Sequence, residues 1–192
     1  MKARHFISIA AVALLLSACI PSVLPFYTDK DVIFDARLLG EWQSKEPADQ
    51  PEIWRFEKAD DKRYALTVRE KEGKHGKFAA CLFTLKNQHF LDITPTECEL
   101  ASDQADLVAA SIFPGHLVLR VPQIEPELKL AFCDFDWLKK LLKANPKALA
   151  HLEEEKRIVL TASTRELQRF ILKHLGEGEL FQKPNELVRK KN

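Results

Sequence analysis

Five histidines outside the first eighteen residues, His75, His89, His116, His151 and His174, are the side chains best suited to proton or metal chemistry. A zinc hydrolase often pairs two histidines on one helix face around a glutamate, and no His-Glu-x-x-His occurs. Ser111 and His116 are near neighbours in the chain, but the Gly-x-Ser-x-Gly of a nucleophile elbow is absent. Asp134 and Asp136 flank Phe135. Paired carboxylates can exchange protons or hold a cation, yet an aspartate before a helix also caps it, and Asp136 suits a helix starting at Trp137. Phosphate-cradling loops need glycines at fixed spacing, and neither Gly-x-Gly-x-x-Gly nor Gly-Lys-Ser/Thr is present. No catalytic residue, metal ligand or cofactor is therefore assigned, and a hydrolase using His116 or Asp134 is kept as the enzymatic alternative.

Aromatic residues offer a second kind of chemistry. Trp54, Phe56 and Tyr64, with Trp42, are spaced to share the inner face of a sheet. They are the candidate ligand-binding residues if that face encloses a cavity for a small apolar ligand, and core residues if it does not. Cys81, Cys98 and Cys133 allow one disulfide at most; Cys81 with Cys98 would close a hairpin, and buried thiols are the alternative. No Cys-x-x-Cys is present.

The elements that position these residues read as strands first and helices later. Segments 39–44, 53–58, 64–70, 78–85 and 89–94 are short and apolar or alternating, with Asn87-Gln88 as the turn between the last two. Residues 103–110 fit a helix, or 107–113 a strand. Strands follow at 117–121 and 128–132, then two helices from Trp137 to Glu155, separated by Asn145-Pro146. An eighth strand at 157–162 leads to Ser163 and Glu166, which fit a capping box. Leu167, Phe170, Ile171, His174 and Leu175 then form one helical stripe, and the tail from Val188 is expected to fray. The fold class is α+β: an antiparallel meander of about eight strands that closes or nearly closes, a two-helix insertion, and an amphipathic helix after the last strand.

The 192 residues are 46% hydrophobic and 30% charged, with a formal net charge of +1, so no basic excess points to nucleic acid. The N-terminus carries its own signal. Lys2 and Arg4 precede an apolar run from Phe6 to Ala18, too short to span a bilayer and of signal-peptide length. The run ends Leu16-Ser17-Ala18-Cys19, which resembles the bacterial lipobox. That resemblance implies cleavage after residue 18 and acylation of Cys19, with Ile20 at the next position implying an outer-membrane anchor that faces the periplasm. The chain then divides into a signal peptide (1–18), a lipidated tether (19–31) and a single domain (32–192), the mature part having a net charge near −1.

Two places resemble the lipocalin or calycin family. Asp35 to Trp42 is similar to the short turn and Gly-x-Trp that open a lipocalin barrel, and Ile158 to Thr164 is similar to a last strand and its exit. The resemblance implies a basic residue over the Gly-x-Trp tryptophan; the matching place holds Ala162, with Arg165 the nearest basic residue. With Cys19, the meander and the absence of a catalytic motif, it leads to the expectation of a non-enzymatic, lipid-anchored envelope protein that binds a small apolar ligand or an envelope component. The rival expectation is a protein-interaction module using the insertion between Trp137 and Glu155.

Overall fold

A computed structural model describes residues 20–46, 48–70, 73–96, 113–154, 157–177 and 179–190. Ser111, Cys98, Cys19 and the segment 103–110 lie outside them.

Seven strands run in order: β1 (Gly40–Ser44), β2 (Ile53–Lys58), β3 (Tyr64–Arg69), β4 (His75–Leu85), β5 (Gln88–Pro95), β6 (Leu117–Gln123) and β7 (Glu127–Phe132). Then come α1 (Phe135–Ala144), the strands β8 (His151–Glu154) and β9 (Arg157–Leu160), α2 (Thr164–His174) and β10 (Asn185–Arg189). Each of β1 to β6 pairs antiparallel with the next, and β10 closes the ring between β7 and β1. Eight strands thus form a closed barrel with no free edge.

Side chains alternate across every strand, so one parity fills the barrel. Trp42, Phe56, Tyr64, Leu82, Leu119 and Leu128 are among the interior set and are fully buried. The outer parity of β1 to β3 is polar, with Glu41, Gln43, Arg55, Glu57 and Thr67. Apolar inside and charged outside is the reverse of a membrane-spanning barrel.

The outer parity of β4 to β7 includes a buried apolar patch instead, and a second core covers it. Phe83, Phe90, Val118 and Ala131 meet Leu138 and Leu142 of α1, Leu167 and Ile171 of α2, and Ile158 and Leu160 of β9. Asp134 caps α1, its carboxylate accepting from Trp137 N at 2.8 Å. Ser163 and Glu166 cap α2 reciprocally.

Four expectations need correcting. First, the last barrel strand is β10, not 157–162. Arg157–Leu160 pairs with β8 outside the barrel, and Val188 and Arg189 of the tail expected to fray are paired in β10 with Gln43 and Trp42. Residues 185–189 carry a single strongly apolar pair, Leu187-Val188, so little periodicity marks them; closure of the ring supplies what the pattern does not. Second, the insertion holds one helix, and the chain turns after Asn145 into β8. A helix there would set Leu149 and Leu152 on one face, whereas Leu149 is buried and Leu152 is 65% exposed. Third, Asp134 and not Asp136 is the cap, because the helix starts two residues earlier than Trp137. Fourth, the β4–β5 turn is Lys86-Asn87. Both have positive φ, 45° and 64°, as the two-residue hairpin loop demands.

Candidate functional site

The barrel interior is where Trp54, Phe56 and Tyr64 were expected to bind a ligand. The structure does bring them together. Trp54 stacks on Phe56 with centroids 6.3 Å apart, and Phe56 meets Tyr64 edge-on at 6.1 Å. Phe34 stacks on Tyr64 at 4.8 Å from the segment that enters β1. The Tyr64 hydroxyl donates to Asp35 O at 3.1 Å and accepts from Asp35 N at 2.7 Å. Burial pushes its pKa up to about 12, so it stays a neutral phenol. A void large enough for a ligand would expose its lining to a water-sized sphere. Trp42, Tyr64, Leu82, Leu91, Leu119 and Leu128 expose 0% of their surface. The interior is filled by its own side chains, as an eight-stranded barrel permits.

One end of the barrel is sealed by a cation. Arg189, at the end of β10, lies 4.4 Å over the Trp42 ring. Its guanidinium donates to Leu39 O at 2.9 Å, to Arg37 O at 2.6 Å and to Glu125 Oε1 at 2.9 Å. Arg37 lies in the 3-10 turn Ala36–Leu38 and Leu39 caps it, and Leu38 O of the same turn accepts from Trp42 Nε1 at 2.9 Å. Gly40 is required here twice. Its φ is +112°, and a Cβ would sit 3.1 Å from Arg189 Nη1. The basic residue over Trp42 is thus Arg189, not a residue at 162 or 165. Arg189 stands two residues after Leu187, hence on the same inner face, and that spacing was the signal to read.

The second site is the seat of the N-terminal segment. Residues 20–31, expected as a tether, lie against the outer core. Ile20 is 4% exposed, and Ser22 and Phe26 are buried with it. Ser22 exchanges backbone hydrogen bonds with His116 at 2.8 and 2.9 Å. Leu160 donates to Pro21 O at 2.8 Å and accepts from Val23 N at 2.9 Å. Residues 21–23 therefore join β9 to the start of β6.

Beneath them lies a buried carboxylate. Asp92, on the outer face of β5, accepts from Phe26 N at 2.9 Å and from His116 Nδ1 at 2.7 Å. α2 adds two more ties, with Thr164 Oγ1 donating to Pro25 O at 2.8 Å and Gln168 Nε2 to Phe26 O at 3.0 Å. No protein-family model, curated protein or solved structure matches the chain. The assignment of this seat rests on its geometry alone. Asp92 escaped the sequence reading, although a lone aspartate inside the apolar run 89–94 was visible there.

The remaining reactive groups are used structurally. Among the described residues, the hydrogen-bond partner of the His116 ring is Asp92. Asp134 caps a helix. His174 packs between Trp137 at 5.2 Å and Phe170 at 4.6 Å, with Nδ1 at 2.7 Å from Glu177. Cys81 and Cys133 are free thiols. Burial raises Cys81 to about 12, and it sits beside Tyr27, which burial also raises to about 12. A void of about 20 Å³ between the N-terminal seat and the helices is lined by Ile20, Phe26, Leu138, Phe170 and Phe181. It is the size of one water and is apolar throughout. A cleft of about 250 Å³ lies along β3 and β4, where Asp60, Arg63 and Lys77 line it together with Tyr64, Leu66 and Phe78.

Proposed function

We propose that this chain is a bacterial lipoprotein, acylated on Cys19 and facing the periplasm from the outer membrane. Its body is a lipocalin-like barrel that works as an interaction module, without enzymatic activity. Three features support the reading. The sequence Leu16-Ser17-Ala18-Cys19 follows a signal-like run. The eight-stranded meander, the 3-10 turn before Gly40-Glu41-Trp42 and Arg189 over Trp42 supply the parts that the lipocalin resemblance calls for. The filled interior carries the choice between carrier and module. With Trp54, Phe56 and Tyr64 packed against one another, an apolar ligand has no place inside, and the envelope component is met on the surface.

The insertion after β7 offers such a surface. Lys140 and Lys143 are exposed three residues apart on α1, and Lys147 is exposed in the turn after it, so the insertion carries three exposed cations. A partner with an acidic patch fits it. The test is photocrosslinking in intact cells from positions 140 and 143, with position 57 on β2 as control. A discrete adduct from position 143 that Lys140→Glu with Lys147→Glu abolishes supports the module. A small apolar molecule that co-purifies with the acylated chain, together with no adduct, contradicts it.

A further inference from the structure

The described residues carry three large, strongly exposed apolar side chains: Leu152 at 65%, Phe113 at 62% and Leu24 at 42%. All three belong to the segments joined around Ser22. Leu152 on β8 stands opposite Val159 on β9. Leu160, next to Val159, is bridged in parallel to Ser22, and Ser22 is bridged antiparallel to His116. Successive side chains alternate between the faces of a sheet. Leu160 and Ser22 point into the outer core, so Leu152, Val159 and Pro21 share the opposite face. Gly115 is pressed against Pro21, where a Cβ would fall 2.7 Å from Pro21 Cβ, and Phe113 stands two residues before it. Leu24 N is bonded to Ser22 Oγ at 3.3 Å. Leu152, Val159 and Pro21 thus share one outer face, and the exposed Leu24 and Phe113 belong to the two segments that border Pro21, the N-terminal segment and the entry to β6.

Cys19 is the residue before Ile20. Adjacent Cα atoms are about 3.8 Å apart, and Ile20 is fixed in the core, so an acyl anchor on Cys19 has no slack. A bilayer holding that anchor must lie close to Ile20, and the next residue, Pro21, belongs to this outer face. We infer that this face makes the membrane contact: Leu24, Phe113 and Leu152 enter the boundary between headgroups and acyl chains. Arg157, exposed on the same face of β9 as Val159, meets the headgroup phosphates at its edge. The inference rests on acylation of Cys19. It fixes the orientation of the body. In the eight-strand ring β2 lies four places from β6, so Glu57 and its neighbours point away from the bilayer.

The experiment uses the full chain processed in a Gram-negative host, with dansylalanine placed at position 24, 113, 152 or 57. Each protein is reconstituted in vesicles of phosphatidylethanolamine and phosphatidylglycerol with brominated acyl chains. These positions are exposed, so the fold tolerates the label, and circular dichroism checks it. Labels at 24, 113 and 152 are expected to lose most of their emission to the bromolipid, and the label at 57 none. Acylated protein whose labels at 113 and 152 stay as bright as the one at 57 overturns the placement alone. An intact mass without acyl groups overturns the anchor, and the placement with it. Labels that respond only when other envelope proteins are reconstituted alongside overturn the bilayer as the occupant.

Discussion

The two cores of this protein are built differently. Inside the barrel every strand contributes alternate apolar residues, and the packing needs no polar group beyond the Tyr64 hydroxyl, the indole nitrogens and Arg189 at the rim. The outer core is assembled from a helix, a hairpin, a second helix and the N-terminal segment. It is stitched by a buried carboxylate, Asp92, to segments that lack regular pairing. The first core is set by periodicity and closure. The second is set by hydrogen bonds to particular atoms, and so it can loosen without opening the barrel.

The largest effect should come from the interior. Trp42→Ala removes a fully buried indole and the surface on which Arg189 rests, and should cost about 3–5 kcal/mol in urea unfolding. Loss of protection should then spread over all barrel strands in hydrogen exchange. Asp92→Ala should cost about 1–3 kcal/mol, because Phe26 N and the His116 ring lose their acceptor. Its exchange signature should differ: amides at 22–27 speed up while those of β1 and β2 stay protected. Equal loosening of both regions would break the distinction drawn above.

Much of the barrel was readable in advance. Trp54 and Phe56, or Tyr64, Leu66 and Val68, alternate without interruption, and period two is the signature of a half-buried strand. The closing strand was not readable, since Asn185–Arg189 has Leu187 as its sole buried residue and ends in a run of basic residues. Its place depends on partners more than fifty residues distant, Leu128 in β7 and Trp42 in β1. The N-terminal seat was hidden for a related reason. Pro21 and Pro25 suggest a loose linker, while the bonds that fix it come from His116, Leu160 and Asp92, which no local pattern connects. The aromatic triad was seen correctly as one inner face, but a sequence does not show whether such a face encloses space.

Two smaller effects sharpen the comparison. Arg189→Ala should cost about 1–2 kcal/mol by opening the rim of the barrel over Trp42, read as a lower urea midpoint and a shifted tryptophan emission. The smallest effect concerns pH and the outer layer. Burial works against ionisation of Asp31, but hydrogen bonds from Thr28 Oγ1, Thr28 N and Gln168 Nε2 outweigh it and hold its pKa below the ordinary value. A carboxyl with a lowered folded pKa stabilises above its unfolded pKa of about 3.9 and loses that contribution as pH falls through the folded value. The stability difference between the native chain and Asp31→Asn should therefore be constant from neutral to mildly acidic pH and vanish in strong acid. A difference that grows on acidification would show that the hydrogen bonds are not made by the carboxylate.

Native mass spectrometry of the full chain extracted from Gram-negative membranes tests the acyl anchor and the filled interior at once. The expected species begins at Cys19, carries covalent acyl chains and holds no small apolar molecule non-covalently, while Cys19→Ser carries no acyl mass. A chain lacking acyl groups, or one that retains a small apolar molecule after delipidation, would contradict that expectation.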